Sequence, residues 1–134
     1  MAEIIEVLKA VTMAGASDLH IVVGKPPMMR VNGVILPLPG AAALTADETK
    51  KMVYSILYDD QRARFEDRWE LDCSISVPGF SRFRVNCFLQ KNGVGAVLRT
   101  ITAKIPTPAE IGLMPAIANL IELPRWLVVV TGTR

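Results

Sequence analysis

Three turn dipeptides decide how the middle of this chain can fold. Asn32-Gly33, Pro78-Gly79 and Asn92-Gly93 each separate two short runs rich in apolar and β-branched residues. Asn-Gly is the pair best suited to a two-residue hairpin, because both residues tolerate positive φ. The flanking runs are MMR and VILPL around the first turn, ELDCSISV and FSRFRVNCFLQ around the second, and VGAVLRTI after the third. A further run, ASDLHIVVG, precedes them with Leu19, Ile21 and Val23 alternating inward, and Lys25-Pro26-Pro27 breaks it. About six short, mainly antiparallel strands are therefore predicted.

Helices frame these strands. Ile4, Ile5, Leu8 and Val11 share one face of a helix predicted over 3–13. Thr45 and Glu48 have capping-box spacing, ahead of a helix with Met52, Val53, Ile56 and Leu57 on one face. DDQRARFEDR, 59–68, reads as a short solvated helix. Beyond the strands, Pro106, Pro108, Pro115 and Pro124 mark a linker over about 103–125, with short helices at 109–112 and 116–122. The final LVVVTGTR reads as a buried strand, 127–130, running into a glycine. The predicted class is α+β.

At 134 residues the chain has about one domain's worth of length, enough for one core. Half of it is apolar (51%), yet no run approaches the roughly 20 residues of a membrane span. The first fifteen residues carry Glu3 and Glu6 and no basic leader, which argues against a secretory signal and for the cytosol. Cys73 and Cys87 fall in strand-like stretches and are expected to be reduced and buried, without a metal. The lone histidine, His20, leaves no basis for a His-based metal site or a Ser-His hydrolase. It is expected to make a structural hydrogen bond beside Asp18. Met28 and Met29 read as core or contact surface, and Trp69 and Trp126 as packing residues.

Net charge is only +2, but its distribution is uneven. Residues 59–72 hold six acids, whereas 73–109 hold none and carry Arg82, Arg84, Lys91, Arg99 and Lys104. Such a stretch needs an anionic partner or acids from elsewhere in the fold. A turn centred on Asn92-Gly93 sets Lys91 against Val94, Asn86 against Arg99 and Arg84 against Ile101. Alternation then puts Arg82, Arg84, Asn86 and Phe88 on one face, and Phe83, Val85, Cys87 and Leu89 on the core face. Arg84 and Arg99 become diagonal neighbours on the polar side. Arginine is suited to bidentate phosphate or carboxylate contact, so this face reads as an anion clamp, or as salt bridges to Glu66–Asp72. Basic-aromatic alternation in FSRFRVNCF would also suit single-stranded nucleic acid, but an apolar inward face accounts for the aromatics.

Four stretches in order, ASDLHIVVGKPPMMRVNG, FSRFRVNCFLQKNGVGAVLRTI, IPTPAEIGL and LVVVTG, resemble the PilT-like ATPases, the retraction motors of type IV pili and twitching motility within the secretion-ATPase superfamily. The resemblance runs from about Ile4 to Gly132. It implies a PAS-like N-terminal domain at 1–100, a linker at 101–125 and the start of a RecA-like domain at 126–134. It further implies a cytoplasmic homo-hexamer at the inner-membrane base of the pilus, using ATP and Mg²⁺, with no nucleic-acid partner. Arg84 and Arg99 match the family's phosphate-contacting arginines, acting as an arginine finger does; Arg82 is an auxiliary, and Asn86 is expected to hold Arg99.

A phosphate-binding loop reads G-x-x-x-x-G-K-[ST]. Gly132 matches its first glycine, and the sequence stops two residues later, so no ATPase activity or bound cofactor is expected of the chain alone. The family usually has Pro where Thr133 stands. Residues 127–130 then lack their own sheet and are expected to pair elsewhere, self-associate or fray. The competing readings are a related secretion or pilus-assembly ATPase, a free-standing PAS-like binding module with a polar internal pocket, and a nucleic-acid-binding module.

Overall fold

A computed structural model describes residues 2–102 and 105–133. Lys104 and Arg134, named above in the basic stretch and the loop-like end, lie outside the described residues. The chain divides into two compact units, Met1–Ala103 and Lys104–Arg134.

The first unit is one six-stranded antiparallel sheet with helices on one face, so the α+β expectation holds. Helix α1, Ala2–Met13, buries Ile4, Leu8 and Val11. It ends on Gly15 at φ 71, where Gly15 N–H donates to Thr12 O and Ala16 N–H to Val11 O. That pair of bonds satisfies carbonyls the last turn leaves open. Helix α2, Ala46–Ile56, starts at the predicted capping box: Thr45 N–H donates to Glu48 Oε2 at 2.7 Å and Glu48 N–H to Thr45 Oγ1 at 3.3 Å. Helix α3, Asp59–Arg68, is polar as expected except for Phe65, which is fully buried. Phe65 meets Tyr54 and Trp69 edge-on, at 6.2 and 5.6 Å between ring centroids.

The strands are β1 Asp18–Ile21, β2 Met28–Val31, β3 Val34–Pro37, β4 Glu70–Val77, β5 Ser81–Gln90 and β6 Gly93–Ile101. Their order across the sheet is β3-β2-β1-β6-β5-β4. The β2–β3 hairpin turns on Asn32 and Gly33, both at positive φ, as the dipeptide predicts. The β5–β6 hairpin does not. Gln90 pairs with Gly93, so the turn residues are Lys91 and Asn92, and the register shifts by two residues from the expected one. Gly93 is needed in the strand instead: a Cβ there would stand 3.2 Å from Val23 Cγ2 and 3.3 Å from Ala46 Cβ.

Other expectations need correction. Strand β1 ends at Ile21, because Gly24 leaves the sheet and donates its N–H to Leu44 O. Leu89 points to the core side but is exposed at the strand's end. Cys87 is buried and Cys73 half-buried, and both are free thiols. Burial pushes the Cys87 thiol up to about 12 and raises that of Cys73 as well. Both should therefore resist a thiol reagent at neutral pH and react only on unfolding, as a timed maleimide assay with and without urea will read.

In the second unit the 109–112 segment is a turn, and 116–122 is one short helix, α4 Pro115–Ala118, followed by a 3-10 turn, Asn119–Glu122. Residues 127–130 form no strand; Leu127 and Val130 are almost fully exposed. Trp126 is exposed too, against its reading as a packing residue. No helix among the described residues is long and apolar enough to cross a membrane.

Candidate anion-binding site

The face of the sheet opposite the helices carries the polar side chains. A two-residue slip in register preserves faces, because side chains alternate with period two. Arg82, Arg84, Asn86 and Phe88 therefore stay together on β5, with Val97 and Arg99 on β6. The slip changes partners, however. Arg84 lies directly opposite Arg99, not diagonal to it, with their Cβ atoms roughly 4.5–5.5 Å apart. Phe88 lies across Gly95, where a Cβ would come within 2.7 Å of its ring and 2.9 Å of Ile21 O.

Neighbouring strands supply acids. Asp18 on β1 sits opposite both Arg99 and Arg30. Arg99 Nε donates to Asp18 Oδ1 at 3.0 Å, while Oδ2 accepts from Ser17 Oγ at 2.8 Å and lies 3.4 Å from Arg30 Nε. Asp72 on β4 takes Arg84 by two bonds, Nη2 to Oδ2 at 2.6 Å and Nε to Oδ1 at 3.3 Å. Across the sheet the charges run Arg30, Asp18, Arg99, Arg84, Asp72. Three guanidiniums against two carboxylates leave one net positive charge. Asp72, Arg84, Asn86, Val97 and Arg99 line a shallow cavity of about 260 Å³.

The two carboxylates differ in setting. Burial pushes the Asp18 carboxyl up, but the Ser17 hydroxyl, Arg99 and Arg30 together outweigh it and hold it below the ordinary value of 3.8. The hydrogen bonds from Arg84 lower Asp72, and Asp72 in turn raises Arg84. Because the folded value of Asp18 is depressed, its contribution to stability is fully present above about pH 4 and is lost as pH falls from there through the lower folded value. Asp18→Asn should cost about 1–2 kcal/mol at neutral pH, discounted because both arginines are solvated, and flatten the fall in stability below pH 4. Urea unfolding at pH 6 and pH 3 checks this.

Among the remaining expected site residues, Arg82 lies two residue pairs further along the hairpin, opposite Ile101, with no carboxylate partner among the described residues. Asn86 faces Val97 and does not hold Arg99; Asp18 does. His20 does not bond to Asp18, and its Nε2 is buried without a hydrogen-bond partner. Gly132 lies in the other unit, exposed and outside any strand. Among the described residues no three His, Cys, Asp or Glu side chains gather as a metal site. Asp18 and Arg30 were missed as partners of the arginines. The only available sign was an acid at the head of an apolar strand.

Fold and paired arginines together describe an α+β domain that presents guanidiniums on an open sheet face. The chain is PilT-like. It is 43% identical over 132 residues to the type IV pilus retraction ATPase PilT of Pseudomonas aeruginosa, covering 97% of this chain and 38% of that protein. It is 37% identical to the type IV pilus ATPase PilU of the same organism, over 95% of this chain and 33% of that protein. It superposes on a crystal structure of the pilus retraction motor PilT with bound ADP at a TM-score of 0.78 and 34% identity, over 88% of this chain and 34% of that one. No protein-family model matches. The chain spans about a third of the length of the relatives it matches.

Proposed function

We propose that this chain is the N-terminal domain and linker of an ATP-driven motor subunit for type IV pilus retraction, and that Arg84 and Arg99 contact the nucleotide's phosphates. The carrying observation is the pair itself: two arginines directly opposed on an open face, in a row whose three guanidiniums exceed its two carboxylates and leave a positive charge for an anion. The bound ADP named for the similar pilus motor supports a nucleotide as that anion. The domains are 1–100, 101–125 and 126–134, with Gly132 opening the phosphate loop. The assembly is a homo-hexamer at the cytoplasmic side of the inner membrane.

ATP with Mg²⁺ supplies the phosphoanhydride that is cleaved. This chain's own residues supply donors. Arg99 and Arg84 neutralise charge on the terminal phosphate, and Arg82 adds a weaker field from two residue pairs away. The lysine of the phosphate loop and the acid that handles Mg²⁺ are supplied outside these residues. The test is ATP turnover by the complete subunit with Arg84→Ala or Arg99→Ala. Loss of turnover with normal assembly is expected; normal turnover in both variants overturns the reading.

A further inference from the structure

Arg84 and Arg99 face each other but are held in different ways. Arg99 gives only its Nε to Asp18, and among the described residues no partner takes its two terminal nitrogens. Asp18 is 7% exposed and uses both oxygens, one on Arg99 and the other on Ser17 and Arg30. A buried carboxylate so placed stays where it is, because leaving its partners would strand a charge away from water. Arg84 instead gives Nε and Nη2, the edge suited to two parallel bonds, to Asp72. Those side chains are 66% and 47% exposed. An exposed pair is weak, and a phosphate group carries more charge than the carboxylate it would replace.

We propose that Asp18 is a positioning residue that holds Arg99 ready for a phosphate group, and that Asp72 is a built-in competitor that Arg84 leaves when phosphate arrives. The inference rests on the phosphate-clamp reading above. Arg99 is the fixed donor, with its stem tethered and its terminal nitrogens open. Arg84 is the moving donor, parked until displaced. The clamp's affinity is thus set by one acid that helps it and one that opposes it. Both acids are one negative charge near the site, so simple electrostatics predicts that neutralising either one tightens phosphate binding. Positioning predicts opposite signs.

The experiment follows the arginine Nε–H signals of the complete subunit, ¹⁵N-labelled at arginine, during titration with inorganic triphosphate at low ionic strength. Asp72→Asn should bind about two- to fivefold tighter, as expected on removing an exposed competing pair. Asp18→Asn should bind about two- to tenfold weaker despite its extra positive charge, because Arg99 must then be ordered on binding. Proton exchange at Arg99 Nε should be slow in the unmodified chain and fast in Asp18→Asn.

Tighter binding by both variants means that the acids act only through their field and overturns Asp18 as a positioning residue. Unchanged binding in both, while Arg84→Ala and Arg99→Ala weaken it, overturns the inference and leaves the clamp standing. No triphosphate-dependent shift at either arginine overturns the clamp itself. Should Asp18→Asn fail to fold, as amide spectra will show, fast Arg99 exchange in the unmodified chain or unchanged affinity in the exposed Asp72→Asn still counts against the proposal.

Discussion

Arg99→Ala in the complete subunit is expected to lower kcat about a hundred- to thousandfold, the usual loss when one preorganised donor to a developing charge is removed. The effect should fall on kcat more than on KM, because a donor matched to the cleaving phosphate acts mainly in the transition state. Arg84→Ala should lower kcat less, since its bidentate edge is shared with Asp72. Steady-state kinetics on complete subunits whose assembly is checked by light scattering will separate these effects. Equal, small changes in both variants would mean that the pair is a solvated face.

The largest expected loss of stability lies elsewhere. Phe65→Ala should destabilise the domain by about 3–5 kcal/mol, the range for removing a fully buried phenyl ring. Helix α3 has no other buried residue, so this ring is what fastens it to the core. Its edge contacts with Tyr54 and Trp69 go with it, and the Tyr54 hydroxyl bond to Glu66 at 2.9 Å loses its support. Against a typical total of about 5–15 kcal/mol, that is a large share. Urea unfolding followed by circular dichroism gives the number. A loss below about 1 kcal/mol would mean that α3 is not anchored in this way.

What the sequence made legible was periodic and local. Alternation in β5 and β6 put Arg84 and Arg99 on one face, and that survived a misplaced turn because the error was two residues. The capping box of α2 and the Asn32-Gly33 turn are complete within a few residues, and both appear as expected. The β5–β6 turn was misplaced because Gly93 serves a contact with Val23 and Ala46, which lie far away in sequence. Strand order was not legible for the same reason. Nothing near Asp18 says that β1 lies between β2 and β6, so its grip on Arg30 and Arg99 could not be foreseen. Phe65 stood alone in a polar helix, with no apolar stripe to mark it as core. Residues 127–130 have a strand's composition, but a strand also needs a partner.

If the clamp reading holds, the opposed arginines meet nucleotide phosphate. The most direct measurement is a crystal structure of the complete subunit with a non-hydrolysable ATP analogue and Mg²⁺. Arg99 is expected within hydrogen-bond distance of the terminal phosphate, still tethered to Asp18, with Arg84 turned from Asp72 toward the same group. Both arginines left on their carboxylates, with the nucleotide bound elsewhere, would contradict it.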